Sequence, residues 1–163
     1  MTSFTKPRKL LADDKITGFN CGLPIVNDWL AKHYRTSNKQ HTAVVYATFD
    51  GNALAGFYTL NAYSMTHEQA PGWLRRNSPD PIPVILLGML GVDMRYQTLH
   101  VGSQLLRDAI LRAISAAEII GARALVVEPA TDRAVSFYEH YGFRHINDST
   151  MMFIPLSFGT SNN

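Results

Sequence analysis

Apolar positions change their spacing several times along this chain, and each change marks an element. The run Ile82-Pro83-Val84-Ile85-Leu86-Leu87-Gly88-Met89-Leu90-Gly91-Val92 is continuous and rich in β-branched residues, the pattern of a strand covered on both faces. It breaks at the polar stretch Asp93-Met94-Arg95-Tyr96-Gln97-Thr98-Leu99-His100. From Val101 onward, Val101, Leu105, Ala109, Ala113 and Ala116 or Ala117 recur at helical steps. Strand, tight polar loop and long helix therefore follow one another.

The flanking chain reads in the same way. Leu10 and Leu11 before the Asp13-Asp14 turn suggest a first strand. After the break at Asn20-Cys21-Gly22-Leu23-Pro24, the residues Ile25, Trp29, Leu30 and His33 or Tyr34 share a helical face that ends near Ser37-Asn38. Two apolar runs, Ala43 to Phe49 and Leu54 to Leu60, flank Asp50-Gly51-Asn52, a hairpin signal. Thr66 to Pro83 shows no sustained period and reads as a long loop with one short helical turn. Arg123 to Glu128 makes another strand, Thr131 or Asp132 caps a short helix that Gly142 can end, and Phe143 to His145 with Met151 to Leu156 supply a last pair of strands. The sum is an α/β (α+β) layered fold: a mixed, mostly antiparallel sheet of roughly six or seven strands with helices on both faces. One domain spanning residues 1–163 is expected, with residues 1–6 and 159–163 frayed.

Composition narrows the class. Hydrophobic residues at 46% against charged residues at 17% describe a globular chain, and no stretch reaches the roughly 20 apolar residues of a membrane span. Met1 to Lys9 is charged, with no apolar stretch and cleavage site after it, so a secretory signal is not expected and the cytoplasm is the default. Cys21 is the single cysteine and reads as a small buried hydrophobe. The six histidines lack ligand spacing, and no metal is expected. Net charge is only +2, yet Lys6, Arg8 and Lys9, then Lys32, Arg35 and Lys39, then Arg75 and Arg76 fall in groups that suit a phosphate backbone. The plain alternative for any one group is a solvated face.

The strand–loop–helix junction has a chemical use. The first turn of a helix leaves backbone N–H groups without partners and carries about half a positive charge, so an anion sits there readily. Thr98 is placed to cap that turn, Gly102 permits close approach, and Ser103 and Arg95 offer a hydroxyl and a charge to phosphate oxygens. A strand–helix corner without a ligand is the alternative from these residues alone.

Downstream, Asp132 to Phe143 contains Ala134-Val135-Ser136-Phe137-Tyr138-Glu139-His140-Tyr141-Gly142-Phe143, which resembles the A-x-x-F-Y-x-x-x-G-F helix of the GCN5-related N-acetyltransferases (GNAT). The same family's Arg/Gln-x-x-Gly-x-Gly/Ala loop is similar to Gln97-x-x-His100-x-Gly102 here. Three further stretches, Phe19-Asn20-Cys21-Gly22 with Val26 to Leu30, Leu87 to Asp93, and Ser103 to Ala109, look like the GNAT toxins of bacterial toxin-antitoxin pairs. The resemblance runs from about Leu10 to about Leu156.

That resemblance implies an acetyl-CoA-dependent N-acetyltransferase, with acetyl-CoA as co-substrate and no metal, acting on the α-amino group of a charged tRNA. It implies a ribbon-helix-helix antitoxin and a homodimer as well. By the same resemblance the donor lies against Leu90, Gly91, Val92, Arg95, Gln97, Thr98, Leu99, His100, Val101, Gly102, Ser103 and Ser136, and Tyr138 protonates the departing thiolate. Tyr141, three residues on, is the rival acid. Arg75, Arg76, Lys32, Arg35 and Lys39 are the expected RNA contacts. Two positions depart from the pattern: His100 stands where the family loop has glycine, and Met89 where the toxins carry arginine. An acetyltransferase of a small amine or protein terminus, and a non-catalytic CoA-binding or interaction module, are the other readings.

Overall fold

The computed structural model of the chain describes residues 3–156. Seven strands hydrogen-bond in the order β1-β2-β3-β4-β5-β7-β6. All the recorded pairings are antiparallel except that of β4 with β5. The residues group into two compact units, one running to Asn61 and taking in Gly88–Ile110, the other formed by Ala62–Leu87 and the chain from Leu111 onward.

The first unit opens with β1 (Arg8–Lys9), α1 (Pro24–Gln40) and the hairpin of β2 (Val44–Asp50) with β3 (Ala53–Met65). Pro24 suits the first helical position because its missing N–H would have no partner there. Val26, Leu30 and Tyr34 then recur one turn apart and are buried. α1 runs past the expected stop at Ser37-Asn38. Asn38 does not end it, because its amide donates to Leu10 O at 2.9 Å and accepts from Val45 N at 2.9 Å, pinning the helix to β2. His41, at φ 58°, closes the helix instead.

The first strand also begins earlier than its apolar residues suggest. Asp14 accepts from Leu11 N at 2.6 Å and from both Arg8 terminal nitrogens at 2.8 and 3.0 Å, which turns the chain away just after Leu10. Of the amino-terminal residues expected to fray, 3–6 are described, and here Phe4 bridges Asp50 while Thr5 N donates to Phe49 O at 2.9 Å. The other end of that expectation, 159–163, lies outside the described residues. Leu10, Leu30, Tyr34, Val45, Phe49 and Phe57 are central to this unit's core. α3 (Val101–Ile120) seats on Gly56, where a Cβ would stand 2.8 Å from Leu105 Cδ1 and 3.1 Å from Gly91 O.

In the second unit, the start of β4 (Ile82–Val92) pairs in parallel with β5 (Ala124–Val127), Ile85 opposite Leu125 and Leu87 opposite Val127, and the pairing stops there. β7 (Met152–Pro155) is antiparallel to β5, and β6 (Arg144–His145) edges β7. α4 (Asp132–His140) is capped by Thr131, which accepts from Ala134 N at 3.0 Å, and Gly142 follows it at φ 92°. The long loop contains one short helix, α2 (Gly72–Arg75). It is braced rather than loose: Arg123 donates to Ser78 Oγ at 2.8 Å and lies 4.9 Å over the Trp73 ring, and His67 Nε2 sits 2.8 Å from Pro79 O. Among the described residues no helix is long and apolar enough to cross a membrane.

Candidate active site

The loop after β4 is organised by a residue to which the sequence assigned no role. Asp93, 2% exposed, accepts from Asn20 N at 3.1 Å, from Arg95 N at 3.0 Å and from Arg95 Nε at 2.8 Å. Arg95, expected to face phosphate oxygens, is instead bonded to this carboxylate and lies 5.3 Å over the Tyr96 ring. A buried carboxylate needs such a partner, and Arg95 is the nearest cation in sequence. Gln97 is occupied too, its amide nitrogen donating to Cys21 O and to Val92 O at 2.9 Å each. Both side chains hold the loop's shape, Gln97 with its whole amide nitrogen and Arg95 with one edge of a guanidinium whose side chain stays 57% exposed.

Burial acts to raise the Asp93 pKa, but the Arg95 side chain and the Arg95 and Asn20 amides outweigh it, and the carboxyl lies below its ordinary 3.8. A depressed folded pKa means a stabilising contribution that is complete above the unfolded value and is lost as pH falls through the lower folded one. Urea titrations of the wild type from about pH 5 downward should therefore show stability holding to near pH 4 and falling below it. Asp93→Asn should be less stable at neutral pH, with the gap to wild type closing in that acid window.

α3 begins at Val101, not at the expected cap Thr98. His100 occupies the flanking position, its carbonyl accepting from Gln104 N at 3.2 Å and from Ser103 Oγ at 2.9 Å. Ser103's hydroxyl is thus also bonded within the first turn. His100 has φ 63°, a left-handed conformation that side chains rarely adopt and glycine adopts freely. This explains glycine's place in the family loop: the backbone needs it, and histidine is among the residues that tolerate the site. His100 and Leu99 are exposed, Val101 is buried against Gly56, and Gly102 and Ser103 are half-buried. The N–H groups of Val101, Gly102 and Ser103 open the helix without intrahelical acceptors, suited to a diphosphate. At the end of β4, Met89 N donates to Thr59 Oγ1 at 2.9 Å, Leu90 and Val92 are half-buried, and Gly91 is packed so that a Cβ would meet Val26 Cγ1 at 3.1 Å. Cys21, buried against this glycine, has its thiol pKa raised by desolvation.

Tyr138 and Ser136 lie on α4 in the other unit. Ser136 is exposed. Tyr138 is 5% exposed, edge-on to Phe137 at 5.3 Å and tilted against Phe143 at 5.2 Å. Burial among these rings pushes its phenol well above the ordinary value of 10, so the hydroxyl stays protonated. Tyr141 is 40% exposed, and its ring meets Phe137 and His140 at the surface. The helix therefore separates the two tyrosines by environment.

The basic candidates are all exposed. Lys32, Arg35 and Lys39 follow one another along α1, where Arg35 donates Nε to Ala12 O at 2.9 Å and lies 4.6 Å over Tyr34. Arg75 ends α2 and Arg76 follows it, its carbonyl accepting from Arg123 at 3.3 Å. Among the described residues no group of three or more His, Cys, Asp or Glu side chains is placed to hold a metal ion.

Comparison with known proteins places this architecture. Residues 38–145 match the family model of the acetyltransferase (GNAT) domain. A tRNA-acetylating toxin of Mycobacterium tuberculosis is 41% identical over 143 residues, covering 88% of this chain and 86% of the relative. Among solved structures, AtaT complexed with acetyl-methionyl-tRNAfMet superposes with a TM-score of 0.84 at 24% identity, over 94% of this chain and 95% of that one. An AtaT mutant bound to the C-terminus of the antitoxin AtaR and acetyl-CoA gives 0.77 at 23% identity, over 94% and 93%. The structural likenesses carry the fold, the seven-stranded mixed sheet with the α3 and α4 helices. With the family match over residues 38–145 and the 41% relative, they establish that the chain belongs to the GNAT acetyltransferase family.

Proposed function

We propose that this protein transfers the acetyl group of acetyl-CoA to the α-amino group of an aminoacyl-tRNA and so blocks translation. The observation that carries the reading is the 41% identity, over most of both chains, to a protein known as a tRNA-acetylating toxin. The geometry agrees with it. The helix start at Val101 offers backbone donors, while the Gln97 amide is occupied elsewhere and Arg95 is braced on Asp93 with more than half of its side chain exposed.

The chemistry follows from these residues. The N–H groups of Val101, Gly102 and Ser103 donate to the diphosphate oxygens, with Thr98, Leu99, His100 and Ser136 as further contacts of the donor. An α-amino group has a reference pKa near 8, so a sizeable fraction is neutral at neutral pH without a strong base. Its nitrogen attacks the thioester carbonyl, whose oxygen takes a hydrogen bond from the β4 backbone at Leu90 to Val92. Met89 does not serve, because its N–H is held by Thr59. As the new C–N bond forms, the C–S bond breaks and the thiolate takes the Tyr138 proton. The proton lost by the amine passes to water, and solvent restores Tyr138.

Lys32, Arg35, Lys39, Arg75 and Arg76 are the basic residues assigned to the tRNA backbone. The active form is a homodimer in the cytoplasm, where charged tRNA is found, held inactive by a ribbon-helix-helix antitoxin. The test is incubation of the protein with labelled acetyl-CoA and bulk charged tRNA. Label should enter RNA and be released when the aminoacyl ester is hydrolysed. Label appearing only in protein or in a small amine overturns the reading.

A further inference from the structure

One motif remains without a role: Asn20-Cys21-Gly22 followed by Asn27 at the start of α1. The structure gives it hydrogen bonds on two sides. Asn20 N donates to Asp93 Oδ2 at 3.1 Å, and Asn20 O accepts from Met94 N at 2.9 Å. Cys21 N donates to Asn27 Oδ1 at 3.0 Å, and Cys21 O accepts from Gln97 Nε2 at 2.9 Å. The Asn20 side-chain oxygen accepts from Gly22 N at 2.9 Å and from Asn27 Nδ2 at 3.0 Å. Each backbone polar group of Asn20 and Cys21 therefore has a partner, two of the four in the 93–97 loop by side chain and one by backbone, the fourth on α1.

Packing repeats the connection. Gly91 lies so close to the strap that a Cβ there would meet Cys21 Cβ and Sγ at 3.4 Å and Val26 Cγ1 at 3.1 Å. The loop between β4 and α3 is thus set against α1 through a short strap, with Gln97 tying one end of the strap to Val92 O as well.

We propose that Asn27 is a positioning residue for the acetyl donor: it fixes the Asn20–Gly22 strap, which through Asp93 and Gln97 sets the backbone amides at the start of α3. This rests on the acetyl-CoA reading above. Gln97 acts here through the backbone, because its amide nitrogen is held by two carbonyls. Pre-organised donors bind an anion better than donors that must first be ordered, so loosening the strap weakens the donor without removing any group that touches it.

The test has two readouts. Calorimetric titration of acetyl-CoA into wild type, Asn27→Ala, Gln97→Ala and the double variant should give a roughly tenfold loss for each single change. The double variant should lose clearly less than the product, since both act through Cys21. Amide hydrogen exchange in the ligand-free Asn27→Ala protein should speed up at Met94, bonded to Asn20 O, at Tyr96 and Leu99, bonded within the loop, and at Gln104, bonded to His100 O, and stay unchanged in β2 and β3. Wild-type affinity in Asn27→Ala, strictly multiplicative losses, or exchange raised evenly through the protein would each overturn the proposal. If Asn27→Ala does not fold, Asn27→Asp carries the same test, keeping the acceptor for Cys21 N and giving up the donor to Asn20. Failure of the wild type to bind acetyl-CoA would remove the acetyl-transfer reading itself. Binding by the wild type with no effect of Asn27 leaves that reading intact and removes only this one.

Discussion

Tyr138→Phe should lower the rate of acetyl transfer by about 10²–10⁴-fold while the protein stays folded and binds acetyl-CoA nearly as well as wild type. The change removes one oxygen and leaves the ring, which keeps its contacts with Phe137 and with Phe143 beyond the helix. Burial keeps the phenol protonated, which gives the thiolate a proton donor but also makes that donor a weaker acid than an exposed tyrosine. A pH profile therefore separates the roles. Activity of the wild type should rise through about pH 8 as the acceptor amine loses its proton, with no fall on the alkaline side where an exposed tyrosine would ionise near 10. Tyr141→Phe, at the exposed position that ends the same helix, should retain activity. Full activity in Tyr138→Phe, or a loss in Tyr141→Phe instead, would move the acid role to water or to Tyr141.

The second large effect is on RNA binding. Replacing Lys32, Arg35 and Lys39 together by alanine should weaken charged tRNA by roughly ten- to a hundredfold near physiological salt. The slope of log affinity against log salt should become shallower by about 0.7–0.9 for each phosphate that is no longer neutralised. These residues are exposed along α1, and Arg35 is held in a fixed plane over Tyr34 while remaining accessible. Arg75→Ala with Arg76→Ala tests the other basic group by the same measurement. Substitutions that lower affinity without changing the salt slope would mean that the charges do not meet phosphates.

Much of the fold was legible because it rests on local periodicity. The continuous apolar run from Ile82, the helical steps from Val101, the Asp50-Gly51-Asn52 turn and the Thr131 to Gly142 helix each stand where their patterns put them. The boundaries that moved did so for tertiary reasons. α1 continued past Asn38 because that side chain found partners at Leu10 and on β2, and β1 stopped at Lys9 because Asp14 pulls the chain that follows into a turn.

The site divides along the same line. Sequence alone determined the strand, loop and helix, the F-Y helix and the family to which they belong, because these depend on residue order and on backbone preferences that neighbours in sequence impose. Tertiary structure decided which polar groups are available. Gln97 and Arg95 read as phosphate contacts from sequence, and only the packed molecule shows that Gln97 is also held by the Cys21 and Val92 carbonyls and that Arg95 also braces the buried Asp93 carboxylate. The same holds for Tyr138 and Tyr141, equivalent in a helical repeat and distinguished only by which of them the fold removes from water. Hydrogen-bond satisfaction and burial are properties of the packed molecule, and no single stretch of sequence carries them.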